Sequence, residues 1–330
     1  MAMHEPRSDD NGFRPPILGV LAGATATAAL LWRARRKPKL EGRIQWSPPA
    51  GRLGDAGLAV RTHGVGRPAT VLLHGMFASA RYWGASYDEL GREATLVVPD
   101  LAGFGRSVNV EVDGYGPDEH ADLVARTLHE LGVADQPVVV AAHSLGVLVG
   151  LRLAARHPGL VGGIVGFAPP LFPDSAAARR RLGQAHVLLG LFVLNSRLAE
   201  SVCDWMCRHR QFAAWLGRLI RPDLPAPLAE DRLEHTYASY AESLAKVVLA
   251  AGVAASVEDL DVPVHLVAGG RDTIVDRDFL DTLASDHSHV TLSVWEGDEH
   301  EIPLTQPATC VAEIKKLRAV VAHNSPDAPS

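Results

Sequence analysis

The sequence predicts an α/β fold: an eight-stranded, mostly parallel sheet flanked by helices, with a helical insertion ahead of its last two strands. Three observations carry this expectation. Short apolar runs bounded by Gly, Pro or Asp alternate with helical patterns through most of the 330 residues, the signature of repeated βαβ units. One such run, Pro137 to Ala141, leads through Ala142-His143-Ser144-Leu145-Gly146 directly into a helical pattern, so a serine sits on a strand-to-helix turn. Hydrophobic residues at 47% and charged residues at 21% are ordinary for a globular core and argue against disorder and against a polytopic membrane protein.

The chain begins with a stretch that stands apart. Ile17 to Trp32 is uncharged and rich in Leu, Ala, Val and Gly, and Arg33, Arg35, Arg36, Lys37 and Lys39 follow it. As a helix at ~1.5 Å per residue it would span ~24 Å. That is short of the ~30 Å hydrocarbon core, but Trp32 and the long basic side chains can reach the interface on the far side. Residues 1–42 are therefore expected to be an N-terminal tail with one membrane-anchor helix at 17–32. Only Arg7 and Arg14 precede the segment, diluted by Glu5, Asp9 and Asp10, so the positive flank orients the folded domain toward the cytoplasm. A cleaved signal peptide would carry its positive charge on the other flank; a helix of a soluble cytoplasmic chain is the alternative.

Residues 43–167 and 262–323 supply the sheet. The expected strands are Arg43 to Trp46, Leu58 to Thr62, Thr70 to Leu73, Thr95 to Val98, Pro137 to Ala141, Gly163 to Phe167, Val264 to Ala268 and Thr291 to Trp295. Helical patterns fill the gaps at Asp118 to Leu131, Leu145 to Arg156, Arg277 to Ser285 and Pro307 to Val321. Residues 168–261 differ. They hold no convincing strand and read as amphipathic helices broken by Pro173, Pro222, Pro225 and Pro227, a pattern that fits an inserted helical lid. Val187 to Val193, Trp205, Phe212 and Trp215 make this stretch more apolar than a solvated linker, so part of it should face the main domain. Residues 324–330 are expected to be a flexible tail.

A net charge of -6 gives no general attraction for nucleic acid, and no basic stripe interleaved with aromatics appears beyond the first forty residues. Cys203, Cys207 and Cys310 are too few and too uneven for a disulfide framework and fit a reducing compartment. Cys203 and Cys207 near His209 are expected to be packing thiols, not metal ligands. No metal and no cofactor is implied.

The chemistry centres on Ser144. A tight strand-to-helix elbow exposes the hydroxyl and needs small residues two before and two after it, because the backbone there passes close to neighbouring chain. Gly146 meets that need, and Ala142 adds one methyl group. A serine hydroxyl does not ionise near neutrality, so a nucleophilic serine requires an imidazole held in one tautomer by a carboxylate. Candidates occur in loops after the last two strands: Asp272 within Gly269-Gly270-Arg271-Asp272, and His300 within Glu296-Gly297-Asp298-Glu299-His300. Both lie at C-terminal strand ends, the edge where open parallel sheets place their sites. Asp298 and Asp276 are rival carboxylates.

With two earlier motifs, these residues resemble the α/β-hydrolase superfamily from about Arg43 to Val321. Leu72-Leu73-His74-Gly75-Met76-Phe77, followed by Ser79 and Trp83, looks like the family's oxyanion loop. Val98-Pro99-Asp100-Leu101-Ala102-Gly103-Phe104-Gly105-Arg106-Ser107 is similar to its signature turn after the next strand. The resemblance implies the α/β-hydrolase fold and a catalytic triad of Ser144 as nucleophile, His300 as base and Asp272 as its partner. It also implies an oxyanion hole from the amides of Met76 and Leu145, with Phe77 as the alternative first donor. His143 and His74 are read as structural, and His120, Tyr82 and Trp83 as packing residues.

A serine nucleophile sets the chain apart from the branches that use aspartate. The expectation is therefore a serine hydrolase of an esterase or lipase-like kind, cleaving a small hydrophobic or lipid-like carboxylic ester through an acyl-enzyme. A carbon-carbon bond hydrolase of ring-cleavage products and a perhydrolase use the same triad and rank next. A catalytically silent binding protein is the alternative of another class.

Overall fold

A computed structural model of the chain describes residues 51–52, 57–185, 196–209, 211–213, 215, 218 and 224–324. The segment 17–32 and the expected strand Arg43 to Trp46 lie outside the described residues, as does Val187 to Val193. Among the described residues no helix is long and apolar enough to cross a membrane.

The strands are β1 (Gly51–Arg52), β2 (Ala59–His63), β3 (Thr70–Leu73), β4 (Leu96–Pro99), β5 (Val138–His143), β6 (Val161–Phe167), β7 (Val264–Gly269) and β8 (Val290–Trp295). They form one sheet in the order β1-β2-β4-β3-β5-β6-β7-β8. β2 pairs antiparallel with β1 and with β4, and every pairing from β4 through β3 to β8 is parallel. The edge strands are thus the two-residue β1 and β8, and the seven strands other than β1 are four residues or longer. β6 starts two residues before its expected Gly163. Val138 pairs with Val161 while Val139 pairs with Gly163, so Gly162 is bulged out of register and interrupts the apolar run that marks a strand buried on both faces.

Nine α-helices are described: α1 (Pro117–Glu130), α2 (Leu145–Arg156), α3 (Ser175–Ala185), α4 (Ser196–Arg208), α5 (Ala226–Asp231), α6 (Tyr237–Glu242), α7 (Arg277–Asp286), α8 (Ile302–Thr305) and α9 (Pro307–His323). The glycines of β6 show how the sheet is covered. A side chain at Gly163 would meet Leu317 of α9, whereas one at Gly166 would meet Val147 of α2. Alternate residues face opposite sides of a strand, so α9 and α2 cover opposite faces. Val139, Val140, Ile164, Val165, Leu266 and Val267 are fully buried between such layers.

Every named element described between β6 and β7 is a helix, and α6 continues into a π-helical turn at Ser243–Val248. One seam stitches this insertion to the loops after β3 and β4. Ser79 Oγ donates to Asp231 Oδ2 at 2.5 Å, Gly105 N donates to Glu234 O at 2.9 Å, Phe104 bridges to His235, and Ser239 Oγ donates to Gly103 O at 2.8 Å. Asp231 is 3% exposed. Burial pushes its carboxyl up to about 6 even though the Ser79 hydroxyl and the Arg81 charge pull it down. The folded state therefore holds this proton more tightly than the unfolded chain, and ionisation as pH rises through about 4 to 6 removes stability. Asp231→Asn, which mimics the protonated acid, is expected to raise the unfolding free energy at pH 7 by about 1–3 kcal/mol. The gain should vanish near pH 3.5, roughly where the unfolded acid also keeps its proton. Denaturant titrations at the two pH values check this; a loss of stability at pH 7 would refute it.

Candidate active site

Ser144 is the pivot between β5 and α2. Its backbone sits at φ 52° and ψ -120°, in the left-handed region that costs a side-chain-bearing residue about 1–3 kcal/mol. The surroundings hold it there: Ser144 N donates to Phe167 O on β6 at 3.0 Å, and Val147 N donates back to Ser144 O at 2.9 Å. The small neighbours have concrete reasons. A Cβ at Gly146 would lie 2.5 Å from Leu73 O and 2.7 Å from His74 O, and one at Gly75 would lie 3.0 Å from the Ser144 Cβ. Ala142 is fully buried in β5, opposite Leu73 and Gly166, and the elbow forms with that extra methyl in place.

The structure brings Ser144, His300 and Asp272 into one hydrogen-bonded chain. Ser144 Oγ donates to His300 Nε2 at 3.0 Å, and His300 Nδ1 donates to Asp272 Oδ2 at 2.7 Å. The other Asp272 oxygen accepts the amides of Ile274 at 2.8 Å and Val275 at 3.3 Å. Neither rival carboxylate reaches the imidazole: Asp276 caps α7 through Phe279 N, and Asp298 accepts from Thr305 Oγ1. Met76 and Phe77 follow β3, and Leu145 opens α2 beside Ser144. The amides of Met76 and Leu145 find no acceptor among the described residues, and the α2 dipole favours an anion at its N-terminus.

Burial disfavours a charged His300. The hydrogen bond and charge of Asp272, joined by the charge of Glu301 and opposed by that of Arg232, outweigh burial and raise its pKa above the ordinary 6.5. Burial would raise Asp272, but its bonds to His300, Ile274 and Val275 hold it below the ordinary carboxylate value. A general base must be neutral, so the acidic limb of a kcat/KM profile is expected above pH 6.5. Glu301→Gln removes one of the charges that favour the imidazolium and should move that limb to lower pH. A pH titration of kcat/KM with the two proteins tests this, and a limb that stays put or rises contradicts it.

Three side chains couple to the site more closely than the sequence indicated. His143 Nε2 donates to His300 O at 2.9 Å, which places the proton on Nε2 and leaves the buried Nδ1 without a partner. Burial and the nearby His300 push the His143 pKa down to about 4, so it stays neutral. Tyr82 stacks on His143 with centroids 4.7 Å apart and donates to Glu301 Oε2 at 2.9 Å. Tyr82 and Glu301 are 219 residues apart, and no local pattern signals the pair; His143 and Glu301 were legible only as neighbours of Ser144 and His300. His74 is structural: its Nε2 accepts Leu101 N at 2.9 Å and its Nδ1 donates to Gly75 O at 2.8 Å, which ties the β3 loop to the β4 loop. His120 is buried and bonds Ser243 Oγ, and Trp83 is core. Cys203 and Cys310 are buried; among the described residues no group of three or more His, Cys, Asp or Glu could hold a metal.

The sequence profile of the alpha/beta hydrolase family matches residues 70–313. The chain belongs to the alpha/beta hydrolase family. This alpha/beta hydrolase is similar to "Probable lysophospholipase BODYGUARD 4" of Arabidopsis thaliana, 27% identical over 262 residues that cover 73% of the chain and 62% of that relative. It thus spans less than two thirds of the relative's length. Among solved structures, the esterase RhEst1 from Rhodococcus sp. ECU1013 superposes with a TM-score of 0.63 at 21% identity, covering 83% of this chain and 98% of the esterase. A thermophilic esterase from Thermogutta terrifontis does so with a TM-score of 0.58 at 21% identity over 83% and 98%. These likenesses show a shared fold.

Proposed function

We propose that the chain is a serine hydrolase that cleaves a hydrophobic, lipid-like carboxylic ester. The carrying observation is the unbroken hydrogen-bond chain from Ser144 Oγ through His300 to Asp272, at 3.0 and 2.7 Å. As Ser144 Oγ attacks the ester carbonyl, its proton passes to His300 Nε2, and Asp272 stabilises the imidazolium. The amides of Met76 and Leu145 receive the charge on the carbonyl oxygen, each contributing about 3–4 kcal/mol. His300 returns the proton to the departing alcohol. Water then loses a proton to His300, attacks the acyl-serine and releases the acid, restoring Ser144.

Apolar walls support the lipid-like substrate. Phe77, next to Met76, stacks on Tyr240 of α6 with centroids 5.2 Å apart and meets His235 edge-on at 4.9 Å. Residues 168–261 serve in this reading as a lid over the site, and the similarity to a relative named as a lysophospholipase points the same way. The uncharged run 17–32, with five basic residues beyond it, supports a membrane anchor that leaves the hydrolase on the cytoplasmic side. Carbonate extraction of membranes tests the anchor: the intact chain should resist it and a chain lacking residues 1–42 should not.

A fluorophosphonate probe tests the catalytic reading. Folded protein should form a covalent adduct at Ser144, Ser144→Ala should form none, and long-chain p-nitrophenyl esters or lysophosphatidylcholine should be turned over faster than acetyl esters. Equal labelling of Ser144→Ala removes the assignment. Labelling without preference for long chains removes the lipid-like substrate and keeps the serine hydrolase.

A further inference from the structure

The apolar content of the insertion divides in an unexpected way. α4 already has an inward stripe, with Cys203 buried and Val202 and Met206 half-buried, and it packs against α6, whose Tyr240 covers Phe77. The larger aromatics point the other way. Trp205 is 45% exposed, Phe212 48% and Trp215 57%, and the only other exposed large apolar side chains among the described residues are the isolated Val65 and Val320. The three rings form one patch: centroids lie 5.5 Å apart between Trp205 and Phe212 and 5.4 Å between Phe212 and Trp215. A contiguous exposed aromatic surface on a folded domain marks something it binds.

The surrounding charge says what. The whole chain carries -6, yet the sequence from Ser196 to Arg221 holds five arginines (197, 208, 210, 218 and 221) against two acids, Glu200 and Asp204; Arg218 also pairs with Glu230. Arg197, Arg208 and Arg218, in the same stretch of chain as the rings, are exposed. Exposed indole and phenyl rings in a segment rich in exposed arginine match the boundary of an anionic bilayer, where aromatics settle at headgroup depth and arginines meet phosphate. The same chain carries the uncharged run 17–32 followed by a basic cluster, and stable attachment to a bilayer generally combines two such signals.

We propose that Trp205, Phe212 and Trp215, with their flanking arginines, form a docking patch for an anionic lipid surface. It would hold the insertion against the bilayer, one helix layer from Phe77 and the Ser144 site. The proposal concerns this outer surface and does not depend on what Ser144 attacks.

Hydrogen exchange on the full chain tests it, because exchange is read segment by segment and separates the patch from residues 17–32. Vesicles of equal parts phosphatidylcholine and phosphatidylserine should slow exchange across residues 196–213 by about tenfold or more. Pure phosphatidylcholine or high salt should weaken the protection. In a variant carrying Trp205→Ser, Phe212→Ser and Trp215→Ser the protection should disappear, while β3 and β5 exchange as slowly as in the parent, showing that the variant is folded. Exchange at 196–213 that ignores vesicles, or protection that survives the triple substitution, overturns the proposal. Protection that appears without lipid and grows with protein concentration assigns the patch to a second copy of the chain and overturns it equally.

Discussion

Replacing His300 with alanine is expected to lower kcat by about four to six orders of magnitude and to cost only about 1–2 kcal/mol of stability. The two effects separate because His300 has different roles in them. In the proposed catalysis it is the acceptor for the Ser144 proton, to which it is hydrogen-bonded, and neither neighbouring imidazole can substitute: His143 faces the His300 carbonyl, and His74 spends both nitrogens on Gly75 and Leu101. In the fold it is one of three partners of Asp272. The other two, the amides of Ile274 and Val275, remain, and the imidazole is 19% exposed, so water can reach the carboxylate oxygen it leaves. Steady-state kinetics with a p-nitrophenyl ester and a denaturant titration measure the pair. Turnover within tenfold of the parent would mean another base, and collapse of the fold would mean that His300 is structural.

Gly146→Ala should lose activity and stability together. Its new methyl would be 2.5 Å from Leu73 O and 2.7 Å from His74 O, distances at which backbone has to shift, since no side chain is there to rotate away. Either α2 moves out or the end of β3 moves back. Both displace the Leu145 amide relative to Met76, and a misplacement of about 1 Å in a reacting geometry costs on the order of a hundredfold in rate. Overpacking of this kind also costs about 1–3 kcal/mol. Gly183→Ala is the matched control: it lies in α3 with nothing within 4 Å of the added carbon and should be neutral or stabilising by up to about 1 kcal/mol. If Gly146→Ala behaves like Gly183→Ala, the elbow has slack that the geometry denies.

Those two residues also show what a sequence can reveal. Gly146 was legible because a nucleophile elbow imposes its size requirement within five residues, and Ser144, Asp272 and His300 each follow a run recognisable as a strand, continuously apolar up to Ala142 in β5 and broken only by His265 in β7 and by Thr291 and Ser293 in β8. β3 and α2 fall on their expected bounds for the same reason, since local pattern and tertiary burial agree there. Where they differ, the cause is long-range packing. Gly162 is invisible as a bulge until β6 meets β5. Tyr82 reads as one more core aromatic until Glu301 meets its hydroxyl. Part of the apolar content that includes Trp205, Phe212 and Trp215 is expected to face the main domain; the structure puts these three outside, because an amphipathic pattern gives the angle between two faces of a helix and not which one the sheet takes. Asp231 and Ser79, 152 residues apart, carry no mutual signal at all.

The seam they anchor has a consequence for how such enzymes diversify. The insertion is continuous in sequence, which invites the view that it could be exchanged between relatives as a cassette. Yet its docking partners, Ser79 and the turn from Gly103 to Gly105, belong to the loops after β3 and β4. A foreign cassette spliced between β6 and β7 would arrive without the hydroxyl, the carbonyl and the amide that hold this one in place. The transferable structural unit is therefore discontinuous: an insertion and the two sheet loops that grip it, exchanged together.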